Sequence, residues 1–167
     1  VPPHPEPVAR EQSVGPETFL RLAWVANPLA YVAIYALLAV MPGLAARLGL
    51  SATEAGLYGS IWFFGRMLAF VALWQWTGWH YRFRWLVSAY VLMTMGFAGC
   101  LLAPTVAALV GAQAVFGLAA GLIYYSSLFY SMDVGDTKGD HGGIHEAAIG
   151  AGIMGGPLIG AVAQFVR

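Results

Sequence analysis

The stretch GLYGSIWFFGRMLAFVALWQW, residues 56–76, holds a single charge, Arg66, at its centre. A hydrocarbon layer about 30 Å thick needs about 20 residues of helix to cross it, so this run reads as a membrane span. Arg66 is then expected at mid-bilayer. There a guanidinium costs at least ~2.5 to 3.5 kcal/mol on insertion scales, because it loses its hydration shell and cannot shed its proton. Gly59, Trp62, Ala69 and Leu73, which share its helical face, carry no carboxylate. Its partner must therefore come from another helix, a solute or water.

Working outward, the whole chain has the composition of a protein dissolved in lipid. It is 59% hydrophobic and only 10% charged, with 6 Trp, 8 Tyr, 9 Phe and 21 Gly, and its mean hydropathy is +0.70. Eight basic and eight acidic residues cancel, so there is no basic field to gather nucleic acid. The single Cys, Cys100, lies inside an apolar run, which excludes an intrachain disulfide and reads as a small core residue. Val1 to Glu17 holds five Pro where a signal peptide would need a basic and then an apolar region. Without an initiator Met, the chain is expected to be a segment of something longer.

Five apolar stretches are long enough to span, at about 19–41, 56–76, 85–102, 106–132 and 147–166. Residues 1–18 form a Pro-rich cytoplasmic tail or linker, and 19–167 a five-helix transmembrane domain. Pro42 and Gly43 are expected to stop the first helix, and Pro104 to open the fourth. Membrane strands would alternate apolar and polar residues; these runs are apolar throughout, so the fold class is an all-α polytopic helix bundle. Arg10, Arg21, Arg82, Arg84 and Lys138 fall on one face and Arg47 and Arg167 on the other, which places the amino end in the cytoplasm of a cell (inner) membrane. Trp74, Trp76, Trp79 and Trp85 are expected to form an aromatic belt at that interface. Gly117 and Gly121, and Gly152, Gly156 and Gly160, have the four-residue spacing that lets helices approach closely.

Four groups could carry chemistry, Glu146 and the two histidines before it forming one of them. Arg66 marks a binding site or pathway, the bland alternative being an ion pair that fixes packing. Glu146, in DHGGIHEAA (residues 140–148), is either a proton-titrating acid or gate lock, or a first-turn acid complementing a helix dipole. His141 and His145 have metal-ligand spacing only if that stretch is helical, which Gly142 and Gly143 argue against, and no third ligand is evident. Tyr124 and Ser127 share a face, with Gln113 close to three turns earlier, so this stripe could line a polar cavity. Asn27 and Pro28 interrupt the first span, where an amide on loosened backbone either binds a ligand or serves a bend. No GxSxG, HExxH or phosphate loop is present, so no enzyme activity, metal or cofactor is expected.

The order of these features resembles the carboxyl half of a major facilitator superfamily transporter. GDHGGIHEAAIGAGIMGGPLIGAVAQF (139–165) is similar to the start and Gly-rich body of the eleventh span, and FGLAAGLIYYSSLFYSM (116–132) to the tenth. GWHYRFRW (78–85) sits where the family has a short basic cytoplasmic loop, but lacks its usual acidic residue. The resemblance implies that the five helices match spans seven to eleven, and that Asn27, Arg66, Tyr124, Ser127 and Glu146 face a central cavity. It also implies the remaining helices elsewhere, in the parent chain or a partner subunit. The expected function is part of a secondary active transporter moving a small solute, anionic where Arg66 pairs with it. The alternative is a non-transporting scaffold subunit of a larger complex, its Gly-rich faces used for docking. Expected partners are the solute and the lipid bilayer, not nucleic acid.

Overall fold

A computed structural model describes residues 15–134 and 138–165. They fold into six helices: α1 (Pro16–Arg47), α2 (Ala52–Gly59), α3 (Ile61–Gln75), α4 (Phe83–Leu102), α5 (Val106–Asp133) and α6 (Lys138–Phe165). Four segments are long and apolar enough to cross a membrane: α1, α2 with α3 as one run, α4 and α5. The chain therefore has the make-up of a multi-pass membrane protein. Its outer surface agrees, since Phe64, Leu68 and Trp74 on α3, Met95 on α4 and Met154 and Leu158 on α6 are all largely exposed, a surface no soluble monomer presents over such an extent.

The interior is built on α5. Helices α3 and α4 pack on opposite sides of it without touching one another, α1 lies along a third side, and α6 packs chiefly on α1. Gly117 sets the α3 contact: a Cβ there would collide with the backbone carbonyl of Trp62, and one on Gly121 would lie 2.6 Å from Cβ of Ala69. Gly152, Gly156 and Gly160 do the same for α6, where added methyls would strike Tyr31, Tyr35 and Ala39 of α1. In lipid the hydrophobic drive between helices is absent, and such close backbone contact replaces it. The Gly spacing is a packing device within the chain. Cys100 is fully buried in the core, as expected.

Three boundaries differ from the sequence reading. Helix α1 runs through Pro42 and Gly43 to Arg47; Pro42 deletes one hydrogen bond, but buried Met41, Leu44 and Ala45 on either side hold the turn. It ends at Gly49, whose φ of 70° is the left-handed conformation open to glycine. Helix α2 starts earlier than residue 56, under a capping box in which Ser51 accepts from the Glu54 backbone and the Glu54 carboxylate accepts from the Ser51 backbone. Helix α6 begins at Lys138 rather than near residue 147, so Gly142 and Gly143 are helical. Nothing lies within 4 Å of where their side chains would be; that turn is held by His145, buried against α1 and α5. Glu146 is consequently two turns inside α6 and is no first-turn acid.

The two ends of the bundle are closed differently. At one, Arg47 donates to the carbonyls of Leu101 and Ala103 at 2.9 and 3.2 Å, capping α4. At the other, the α3–α4 loop folds onto the end of α5: the Tyr81 backbone N–H donates to Tyr130 Oη at 3.2 Å, and the Tyr81 hydroxyl donates to Asp133. Trp79 is buried there against Tyr125, Phe129 and Tyr130. It is a core residue and no part of a lipid-facing belt, whereas Trp74 and Trp76 are exposed. His80 stacks on Phe129 at 4.0 Å; its desolvation pulls the imidazole below its ordinary pKa, opposed by the Asp133 charge.

Candidate functional site

Because Gly121 lets α3 approach α5, the backbone of Arg66 rests against α5. The Arg66 side chain then meets Tyr124, one turn further along α5 from Gly121. Phe70, one turn along α3, supplies a second ring, and Tyr31 of α1 a third. The guanidinium carbon lies 4.6 Å from the Tyr124 ring centroid, 5.3 Å from Tyr31 and 5.4 Å from Phe70. Nη2 donates to Tyr31 Oη at 2.8 Å. The backbones of α1 and α3 come together nowhere. Arg66 reaches across the space between them.

Aromatic faces take the place of a carboxylate here. Among the described residues the one ion pair is Arg21 with Glu17, on the surface. Each ring face is worth about 0.5 to 2 kcal/mol, and a hydrogen bond to a charged group about 1.5 to 3 kcal/mol. Together they match the ~2.5 to 3.5 kcal/mol insertion cost. The cage is incomplete in one respect: Arg66 Nε is buried and has no partner among the described residues.

A second polar cluster adjoins the first through Tyr124. His145 is 1% exposed, with its ring 5.3 Å from that of Tyr124. Its Nδ1 lies 2.9 Å from Ser127 Oγ of α5 and 3.5 Å from Asn27 Nδ2 of α1. Asn27 and Tyr31 are one turn apart on α1, so one face of that helix serves both clusters. Helix α6 packs closely on Pro28: a Cβ on Gly152 would lie 2.8 Å from the Pro28 carbonyl. His145 Nε2 and Asn27 Oδ1 are both buried without a partner among the described residues.

Of the residues singled out in the sequence, Arg66 and Tyr124 come together, as do Asn27 and Ser127, and Tyr124 joins the pairs. Gln113 stands apart. Its Nε2 donates to the Tyr58 carbonyl at 2.8 Å and ties α5 to the end of α2. Glu146 is exposed on α6, at the edge of the cluster, where its charge is felt by Tyr124 and His145. The side chain of His141 lies outside the described residues, and among those described no group of three His, Cys, Asp or Glu could hold a metal. Tyr31 and Phe70 are the site residues that sequence reasoning missed, and His145 was singled out only as a possible metal ligand beside His141. Tyr31 lies one turn from Asn27, and His145 lies seven residues before Gly152 on the face of α6 that meets α1; both spacings were available signals. Comparison with protein-family models, with curated proteins and with solved structures gives no match.

Proposed function

We propose that the chain is part of a secondary active transporter that binds a small anion at Arg66 and moves it by alternating access. One observation carries this reading: a guanidinium in the middle of a span, caged by rings, with no carboxylate in salt-bridge contact among the described residues and with a buried donor left over. A purely structural arginine in lipid would be expected to pair all its buried donors. An oxyanion arriving at Nε would pair the orphan donor, and the low local dielectric would strengthen its attraction to the guanidinium. Arg66 also links α1 to α3 through Tyr31, so an anion competing for the guanidinium would loosen that link. That gives binding a route to helix motion.

The resemblance to the carboxyl half of a major facilitator transporter supports the same reading, with α6 as a fifth span, the amino end cytoplasmic in the inner membrane, and the remaining helices outside this chain. The Gly-rich faces of α5 and α6 are filled by α3 and α1, which leaves less to favour a docking scaffold. The test is titration of the full-length protein in nanodiscs with acetate, nitrate and phosphate. Saturable binding of at least one, lost in Arg66→Gln, is expected; identical behaviour of wild type and variant refutes the site.

A further inference from the structure

We infer that the transported solute carries a hydroxyl group as well as its negative charge, and that Asn27 and His145 form the subsite that receives the hydroxyl. The inference rests on the Arg66 reading and adds to it the chemistry of the solute's other end. Asn27 is 0% and His145 1% exposed, and each keeps one buried polar atom without a partner among the described residues, Oδ1 and Nε2. The Asn27 amide and the Ser127 hydroxyl both converge on His145 Nδ1, so Nδ1 accepts and the proton sits on Nε2. What is left over is one donor, Nε2–H, and one acceptor, Oδ1. The opposite tautomer with the amide turned over exchanges the two roles and leaves the same demand.

A hydroxyl answers it, since one oxygen both donates and accepts. A carboxylate would answer only Nε2, and an ammonium only Oδ1. The Tyr124 ring stands 4.6 Å from the Arg66 guanidinium carbon and 5.3 Å from the His145 ring. The two subsites are therefore no more than about 10 Å apart. Arg66 Nε, also unpartnered, takes the anionic end. The class implied is a hydroxylated organic acid, with Tyr124 between its two ends.

Matched pairs decide it. Gluconate against hexanoate and lactate against propionate are titrated into the full-length protein in nanodiscs, for wild type, Asn27→Leu, His145→Gln and Arg66→Gln. At least one hydroxylated member is expected to bind ~10-fold or more tighter than its partner, because a site built for a hydroxyl leaves polar groups unpaired when the hydroxyl is missing. Asn27→Leu or His145→Gln should erase that preference. Arg66→Gln should weaken both members alike. Arg66-dependent binding with equal affinity within both pairs overturns the hydroxyl subsite alone, and assigns the orphan atoms to a structural water. Absence of Arg66-dependent binding for all four probes overturns the anion site and the subsite together. Should Asn27→Leu fail to fold, His145→Gln carries the same comparison.

Discussion

The hydrogen bond from Arg66 to Tyr31 lets the compensation of the half-buried charge be measured. Tyr31→Phe removes one oxygen and keeps the ring face at 5.3 Å. A bond to a charged group is worth about 1.5 to 3 kcal/mol, and the donor it leaves behind lies between helices, so the variant should be less stable by about that amount. Arg66→Met alone is uninformative. It removes a charge costing ~2.5 to 3.5 kcal/mol in hydrocarbon, but forfeits three ring faces at about 0.5 to 2 kcal/mol each and the Tyr31 bond, opposing terms that a single variant does not separate. The double-mutant cycle isolates what matters. In the Arg66→Met background Tyr31→Phe should cost almost nothing, giving a coupling of about 1.5 to 3 kcal/mol. The assay is reversible unfolding in mixed micelles. If Tyr31→Phe costs the same in both backgrounds, Tyr31 does not compensate Arg66 and the cage is misread.

Other consequences are simpler to state. Gly117→Ala should destabilise by about 1 to 3 kcal/mol through overpacking, because its methyl meets the Trp62 carbonyl, whereas Gly111→Ala, with open space around it, should be neutral or stabilising by up to ~1 kcal/mol; equal effects would contradict the α3–α5 packing. His80 has its folded pKa lowered by burial, so between its unfolded value of about 6.5 and that lower value the unfolded chain takes up a proton the folded chain refuses. Stability should then fall as pH drops below about 6.5, and His80→Phe, which keeps the stacking on Phe129, should flatten that part of the profile; parallel profiles would count against it. Arg47→Ala should cost about 1 kcal/mol by uncapping α4, read as faster amide exchange at Leu101 and Ala103; unchanged exchange would remove that role.

The membrane helices were legible because a run of 20 apolar residues has few other uses. Their ends were not, and both large misses concern punctuating residues. Pro42–Gly43 and Gly142–Gly143 break helices on local propensity, yet Leu44 and Ala45 on one side and His145 on the other are buried by neighbouring helices, and tertiary packing overrides a cost of roughly 1 to 3 kcal/mol per residue. Arg66 was legible as a charge needing compensation. Its compensation was not, because Tyr31 and Tyr124 lie far away in sequence, and a search for a carboxylate passes over aromatic faces. His145 was paired with His141 on spacing alone, while its bonds run to Ser127 on α5 and Asn27 on α1. Trp79 looked like a belt residue by composition, and the loop turns it inward.

The central claim is that Arg66 meets a transported anion. Initial rates of labelled gluconate and acetate entry into vesicles bearing the full-length protein test it most directly, comparing wild type with Arg66→Lys. Lys keeps the charge but loses the planar fork, so at least one anion should enter with a KM raised about 10-fold or more, the equivalent of one charge-assisted hydrogen bond, at near-normal protein yield. Identical uptake kinetics for wild type and Arg66→Lys would contradict it.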